Sequence, residues 1–312
     1  MSDHLLVLAE NLNNHLGSLE DRCIVHRYYA TQNPDSLLQE VGEKIRVIGT
    51  NGHVGCSAEL MDQLPKLEMI GSFGVGYDSI DIDAARQRGI RVSNTPDVLN
   101  DAVAELALGL MISLSRRIPQ SDRYVRGGQW PNAEYPLTTE LSGKTAGIVG
   151  LGRIGKEVAR RLQAMKMRVV YHGRNLQANE PFEYFPDLET MAAAVDWLVV
   201  CLPGGGSTDR IISAQVLAAL GPDGFFVNVA RGSVVDENAL CECIESNRIA
   251  GAALDVFEKE PRVPDILLQS DNVVLTPHAA SATTKTRHDM GELVIRNISA
   301  YLDGRPLLTP VA

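Results

Sequence analysis

Six residues, Gly150-Leu151-Gly152-Arg153-Ile154-Gly155, limit the architectures open to this chain more than any other stretch. They follow the apolar run Thr145-Ala146-Gly147-Ile148-Val149 directly and open the amphipathic segment 156–165. Between a strand and a helix, the first glycine permits a tight turn and the second lets backbone approach a pyrophosphate. The third lets helix and strand pack closely, and the helix N-terminus favours phosphate charge. A glycine pattern of this length also arises in structural turns, but the flanking strand and helix favour a dinucleotide. The acidic residue that would hold an adenosine ribose is expected about 20 residues on. That position reads Tyr171-His172-Gly173-Arg174-Asn175, with no carboxylate. Arg174 offers a guanidinium suited to a 2′-phosphate, and Gly173 leaves room for it. The expectation is NADPH in preference to NADH, against the plainer reading of Arg174 as a solvated surface cation.

A chain of 312 residues suggests two domains. Short apolar runs ending in Gly, Asn or Pro alternate with amphipathic segments, which implies parallel sheets with helical crossovers. One series of strands is expected near 4–9, 22–27, 45–49, 68–71 and 90–92. A second begins at 145–149 and continues near 168–171, 197–202, 224–229, 249–254 and 273–275, giving a six-stranded sheet. A long apolar pattern from Asp97 to about Arg126 looks too apolar for a surface helix and is expected to pack between domains or subunits. The last helical pattern, 283–302, leads to a tail, 307–312, that is expected to return to the first domain. The layout is therefore one domain inserted in another, 98–283 within 1–97 and 284–312, with crossings near Pro96 to Leu99 and Ala282 to Thr284.

Charge narrows the partners. Lys plus Arg total 29 against 39 for Asp plus Glu, a formal net charge of −10, which disfavours nucleic acid or an anionic membrane surface. No apolar run is long enough to span a bilayer, and Met1-Ser2-Asp3-His4 lacks a basic leader, so a cytoplasmic protein is expected. The five cysteines are scattered, with no C-x-x-C spacing and hence no sign of a disulfide framework or zinc site. Cys201 follows Leu198-Val199-Val200 and reads as a small buried hydrophobe. His4, His15, His26, His53 and His288 read as structural.

Taken in order along nearly the whole chain, several motifs resemble those of the D-isomer-specific 2-hydroxyacid dehydrogenases, most closely the glyoxylate/hydroxypyruvate reductase branch. They are Gly74-Val75-Gly76-Tyr77-Asp78, Asn94-Thr95-Pro96, Ala104-Glu105-Leu106-Ala107, the 150–155 loop, Asn228-Val229-Ala230-Arg231-Gly232, Asp255-Val256-Phe257-Glu258-Lys259-Glu260-Pro261 and Thr276-Pro277-His278-Ala279-Ala280-Ser281. The resemblance implies an α/β protein with a Rossmann dinucleotide-binding domain inserted into a flavodoxin-like substrate domain, working as a homodimer with a nicotinamide cofactor. It assigns Arg153 and Ile154 to the pyrophosphate loop, Leu202 and Pro203 to the adenosine end, and Val229, Asp255 and Ala280 to the nicotinamide end, with Thr208 a further phosphate candidate.

Reducing a 2-keto acid needs a cation for the carboxylate and a proton donor for the developing alkoxide. Arg231, at the end of an apolar strand, has a planar fork suited to carboxylate and carbonyl. His278 is of the type that carries a proton near neutral pH. Glu260 reads alone as an exposed acid, and its place beside His278, stabilising imidazolium, rests on the resemblance. Main-chain N–H groups at Val75 and Gly76 are expected to meet the substrate carboxylate, again on the family match rather than on spacing. Trp130, in Gly127-Gly128-Gln129-Trp130-Pro131, reads either as dimer packing or as a pocket wall reaching the partner subunit. Other D-2-hydroxyacid reactions, of D-lactate or phosphoglycerate type, stay open because the same three residues serve many substrates. A dinucleotide-sensing binding module is the reading from another class.

Overall fold

A computed structural model describes residues 3–311. Met1 and Ser2, read above for targeting, and the terminal Ala312 of the returning tail lie outside the described residues. The chain divides into two compact units, Met1–Leu99 with Thr283–Ala312, and Asn100–Ala282.

The first unit is built on five parallel strands, β1 (Asp3–Val7), β2 (Cys23–Arg27), β3 (Ile45–Asn51), β4 (Met69–Phe73) and β5 (Arg91–Ser93). Their order is β2-β1-β3-β4-β5, the flavodoxin-like arrangement. The central strands are buried on both faces, as apolar parallel strands covered by helices must be. The Thr284–Leu302 helix covers β4, with Val294 and Ile298 filling the space above Gly71. The tail then returns, pairing antiparallel at Ser93 and Pro310, with Val311 N–H donating to Val92 at 2.8 Å. Asn297, fully buried, accepts from the N–H groups of Leu308 and Thr309 at 3.0 and 3.1 Å and holds that tail to the helix.

In the second unit, the all-parallel sheet runs β12-β11-β10-β9-β6-β7-β8. Its strands are β6 (Thr145–Val149), β7 (Arg168–His172), β8 (Glu183–Phe185), β9 (Trp197–Val200), β10 (Phe225–Asn228), β11 (Gly251–Leu254) and β12 (Val273–Leu275). The sheet has seven strands, not six. β8 is a three-residue edge strand paired only to β7, too short to show a period and flanked by Pro181 and Pro186. The order reverses between β6 and β9, which puts the ligand crevice of such a sheet at their C-terminal ends.

The long apolar pattern is also not continuous. It is two helices, Asn100–Ser115 and Ile118–Arg126, parted at Arg117, whose φ of 51° no right-handed helix accommodates. The first packs inside the second unit, on β10 to β12 and on the Arg153–Ala164 helix. No helix among the described residues is long and apolar enough to cross a membrane.

Candidate active site

Each functional loop of the second unit leaves the C-terminal end of a parallel strand. After β6, Gly150 takes a φ of 97°, and its N–H donates to the His172 carbonyl at 2.9 Å. Gly152 caps the Arg153–Ala164 helix with no side chain of its own. A Cβ on Gly155 would lie 2.1 Å from the Gly150 carbonyl oxygen, so only glycine lets this helix start so close to the strand. A Cβ on Gly152, in contrast, would meet nothing within 4 Å. An open space in front of the first N–H groups of a twelve-residue helix is the cradle a pyrophosphate fits. Ile154 is half-buried and Arg153 exposed at this turn.

Leu202 follows β9 and lies against the same loop, since a Cβ on Gly150 would touch its side chain at 2.8 Å. Pro203 beside it is exposed. The Thr208 hydroxyl lies 2.8 Å from the Pro203 carbonyl and 3.0 Å from that of Gly205. Its single proton is directed into its own loop, and Thr208 here shapes the turn after β9. Beyond β7, Arg174 is exposed and forms no ion pair among the described residues. The carboxylate nearest in sequence, Glu180, pairs with Lys156 at 2.8 Å. The loop after β7 thus presents a cation and no carboxylate at the position where, in a dinucleotide-binding sheet, an acid would select an unphosphorylated ribose.

Val229, Arg231, Asp255, Glu260, His278 and Ala280 lie on the loops after β10, β11 and β12, three neighbours in the sheet. Buried Asn228 organises the first turn: its amide donates to the Arg231 carbonyl at 2.8 Å and accepts from Ala230 N–H at 3.0 Å. Val229 and Ala230 are buried, and the half-buried Arg231 leaves them in extended conformation with its guanidinium donating to the Ala230 carbonyl. A Cβ on Gly232 would lie 1.9 Å from the Phe257 carbonyl carbon. The turn that presents Arg231 therefore rests directly on the backbone of the loop after β11.

That loop carries Asp255 and Glu260. Asp255 is fully buried and accepts four protons' worth of order from the loop after β12: Thr276 Oγ1 and Ala279 N–H at 2.7 Å, Ala280 N–H at 3.0 Å, and His278 N–H on its carbonyl at 2.7 Å. Burial pushes the Asp255 carboxyl up, while those hydrogen bonds and nearby His278 pull it down. Asp255, assigned above to the nicotinamide end, is here the clamp on the loop that bears His278 and buried Ala280. Glu260 accepts from Phe257 N–H through Oε1 at 3.0 Å and meets His278 Nδ1 through Oε2 at 2.8 Å. Both side chains are about a quarter exposed, at 22% and 26%. His278 has a φ of 48°, a left-handed conformation uncommon outside glycine.

Residues without a role in the sequence reading turn out to build this site. Gly232 permits the close approach, Thr276 completes the Asp255 clamp, and Glu237 accepts from Glu258 N–H at 3.0 Å to anchor the Glu260 loop. Burial pushes the Glu237 carboxyl up. The only signal for them was membership of the quoted motifs, and for Glu237 there was none. Val75 and Gly76 belong to the first unit, after β4. There Asn94 and Thr95 secure their turn, through Asn94 Nδ2 to the Val75 carbonyl at 2.8 Å and Gly74 N–H to Thr95 Oγ1 at 3.0 Å. Trp130 is 65% exposed on the segment after the Ile118–Arg126 helix.

Comparison with known proteins bears on these loops. The profile described as D-isomer specific 2-hydroxyacid dehydrogenase, NAD binding domain, matches residues 108–280. Over 293 residues, 94% of each chain, the sequence is 43% identical to a glyoxylate/hydroxypyruvate reductase A of Arabidopsis thaliana. Over the same length and coverage it is 44% identical to a hydroxyphenylpyruvate reductase of Plectranthus scutellarioides. Among solved structures, an NADPH-dependent glyoxylate/hydroxypyruvate reductase from Sinorhizobium meliloti, in complex with NADP and malonate, superposes with a TM-score of 0.92 at 40% identity. That match covers 100% of this chain and 97% of the other.

Proposed function

The chain belongs to the D-isomer-specific 2-hydroxyacid dehydrogenase family, and on that premise we propose that it reduces glyoxylate and hydroxypyruvate to their 2-hydroxy acids, with NADPH preferred to NADH. The observation that carries this reading is the His278–Glu260 pair at 2.8 Å, built on loops after adjacent strands of a dinucleotide-binding sheet. When bound at the Gly150–Gly155 loop, a reduced nicotinamide dinucleotide supplies hydride chemistry at the carbonyl carbon of the keto acid. His278 supplies the proton: Glu260 holds Nδ1 and stabilises the doubly protonated ring, and the other ring nitrogen donates to the developing alkoxide. Arg231 binds the keto-acid carboxylate and polarises the carbonyl through its planar fork. The N–H groups at Val75 and Gly76 are expected to meet a substrate carboxylate. Run in reverse, His278 accepts the proton of the hydroxy acid.

Arg174 carries the cofactor preference. A 2′-phosphate meets a guanidinium at the position where family members selective for an unphosphorylated ribose would need an acid. A second copy of this chain is the proposed partner. Val125, Trp130 and Leu137 are 54%, 65% and 100% exposed over one short stretch of the second unit, and this stretch is the proposed contact. Trp130 belongs to that surface in this reading, whether or not it also reaches a substrate. A reducing compartment such as the cytoplasm suits five cysteines that are all free.

The test is initial-rate loss of absorbance at 340 nm with glyoxylate, hydroxypyruvate, hydroxyphenylpyruvate and pyruvate, each against NADPH and NADH. Fast NADPH-dependent turnover of the first two is expected. Preference for NADH would overturn the Arg174 argument alone, and cofactor binding with no turnover on any keto acid would overturn the enzymatic reading.

A further inference from the structure

His15, His288 and Glu292 converge on the first unit in an arrangement that the dehydrogenase chemistry does not use. His15 ends the short 3-10 helix Glu10–His15, and His288 and Glu292 stand four residues apart on the Thr284–Leu302 helix. Positions four apart on a helix lie one above the other on the same face. One donor atom from each of the three side chains lies within 4.8 Å of the others. The two rings are 6.2 Å apart between centroids, and no hydrogen bond joins the three side chains among the described residues. The donors approach one another without satisfying one another.

Gly291 explains how the first ligand is placed. A Cβ there would lie 2.2 Å from His15 Cγ and Nδ1, so the imidazole rests directly on the helix backbone between the turns that carry His288 and Glu292. Glycine inside a helix costs about 1 kcal/mol relative to alanine, and at this position it admits the ring. Phe73 lies on the His15 ring as well, at 6.0 Å between centroids, which fixes its orientation. His15 is therefore preorganised, while His288 and Glu292 are exposed and adjustable.

We propose that His15, His288 and Glu292 bind a divalent transition-metal ion of zinc-like preference. Two imidazoles and one carboxylate form a ligand set this class of ion takes, with a fourth position for water. A tetrahedral ion with bonds of about 2.0–2.1 Å holds its ligand atoms about 3.4 Å apart, and rotation of the two exposed side chains supplies the small closure needed. Binding ties the Glu10–His15 segment to the C-terminal helix, so the ion stabilises the first unit by mass action.

The test uses the full-length protein, freed of metal by a chelator and then titrated with ZnCl2 by calorimetry, and with CoCl2 by visible absorption. One high-affinity equivalent per chain, tetrahedral cobalt bands and a raised melting temperature are expected. His288→Ala and Glu292→Gln, both at exposed helix positions that leave packing intact, should weaken binding at least tenfold and abolish the thermal shift. His278→Ala should keep both, which separates this site from the proposed active site. No binding below about 100 µM, or equal binding by wild type and His288→Ala, would overturn the proposal.

Discussion

At His278 the backbone stands in the left-handed region, which costs a residue with a side chain roughly 1–2 kcal/mol. Asp255 offsets that cost by gathering the neighbouring N–H groups and the Thr276 hydroxyl, so one buried carboxylate decides where the imidazole points. Asp255→Asn turns an acceptor into a donor facing one of those N–H groups. It should lower stability by about 1–3 kcal/mol and turnover with it; unchanged melting with unchanged kcat would remove Asp255 from this role. His278→Ala should lose about 10²–10⁴ in kcat, the worth of a positioned general acid. Near-normal turnover in that variant would refute the assignment. Arg231→Ala should raise KM and lower kcat together, because the same fork is assigned to binding and to polarisation. Arg174→Ala should raise KM for NADPH far more than for NADH, and an equal effect on both would return Arg174 to the solvated surface. Burial pushes the Cys201 and Cys56 thiols up to about 12, so the folded protein at pH 8 carries almost no thiolate at either. Iodoacetamide labelling read by mass spectrometry should find both unmodified until the protein is denatured.

At the scale of elements, legibility followed length and neighbours. β6 with its glycine turn and helix was readable because strand, turn and helix each leave a signal in adjacent residues. β8 was not, because three edge residues take their conformation from pairing with β7 rather than from their own pattern. The break at Arg117 was hidden for a related reason: Ile118-Pro119 starts a second helix in register with the apolar pattern of the first, and only the left-handed residue before it separates them. In the candidate site, Arg231, Glu260 and His278 were named from motifs, yet what seats them is contact between loops far apart in sequence. Gly232 against Phe257 and Glu237 against Glu258 are such contacts, and no local pattern encodes them. Gly155→Ala tests the same logic on the cofactor loop. A methyl group 2.1 Å from a backbone oxygen forces the helix start away from β6, so weaker dinucleotide binding and a lower melting temperature should appear together.

For the molecule as a whole, composition bounds what it meets and topology bounds how it is made. With a net charge of −10, an anionic substrate or cofactor needs local cations, the part proposed for Arg231 and Arg174. Self-association should depend on the exposed apolar stretch of the second unit. Leu137→Asp with Val125→Asp should shift sedimentation toward monomer at micromolar concentration, and an unchanged sedimentation coefficient would place the contact elsewhere or nowhere. The first unit, finally, is assembled from both ends of the chain: its sheet lies within the first 99 residues, but the helix over β4 and the tail beside β5 come after residue 282. During synthesis, then, the second unit has all its residues while the first still exposes the bare face of β4. A chain truncated after residue 282 should therefore present a protease-resistant second unit beside an N-terminal region that is still digestible.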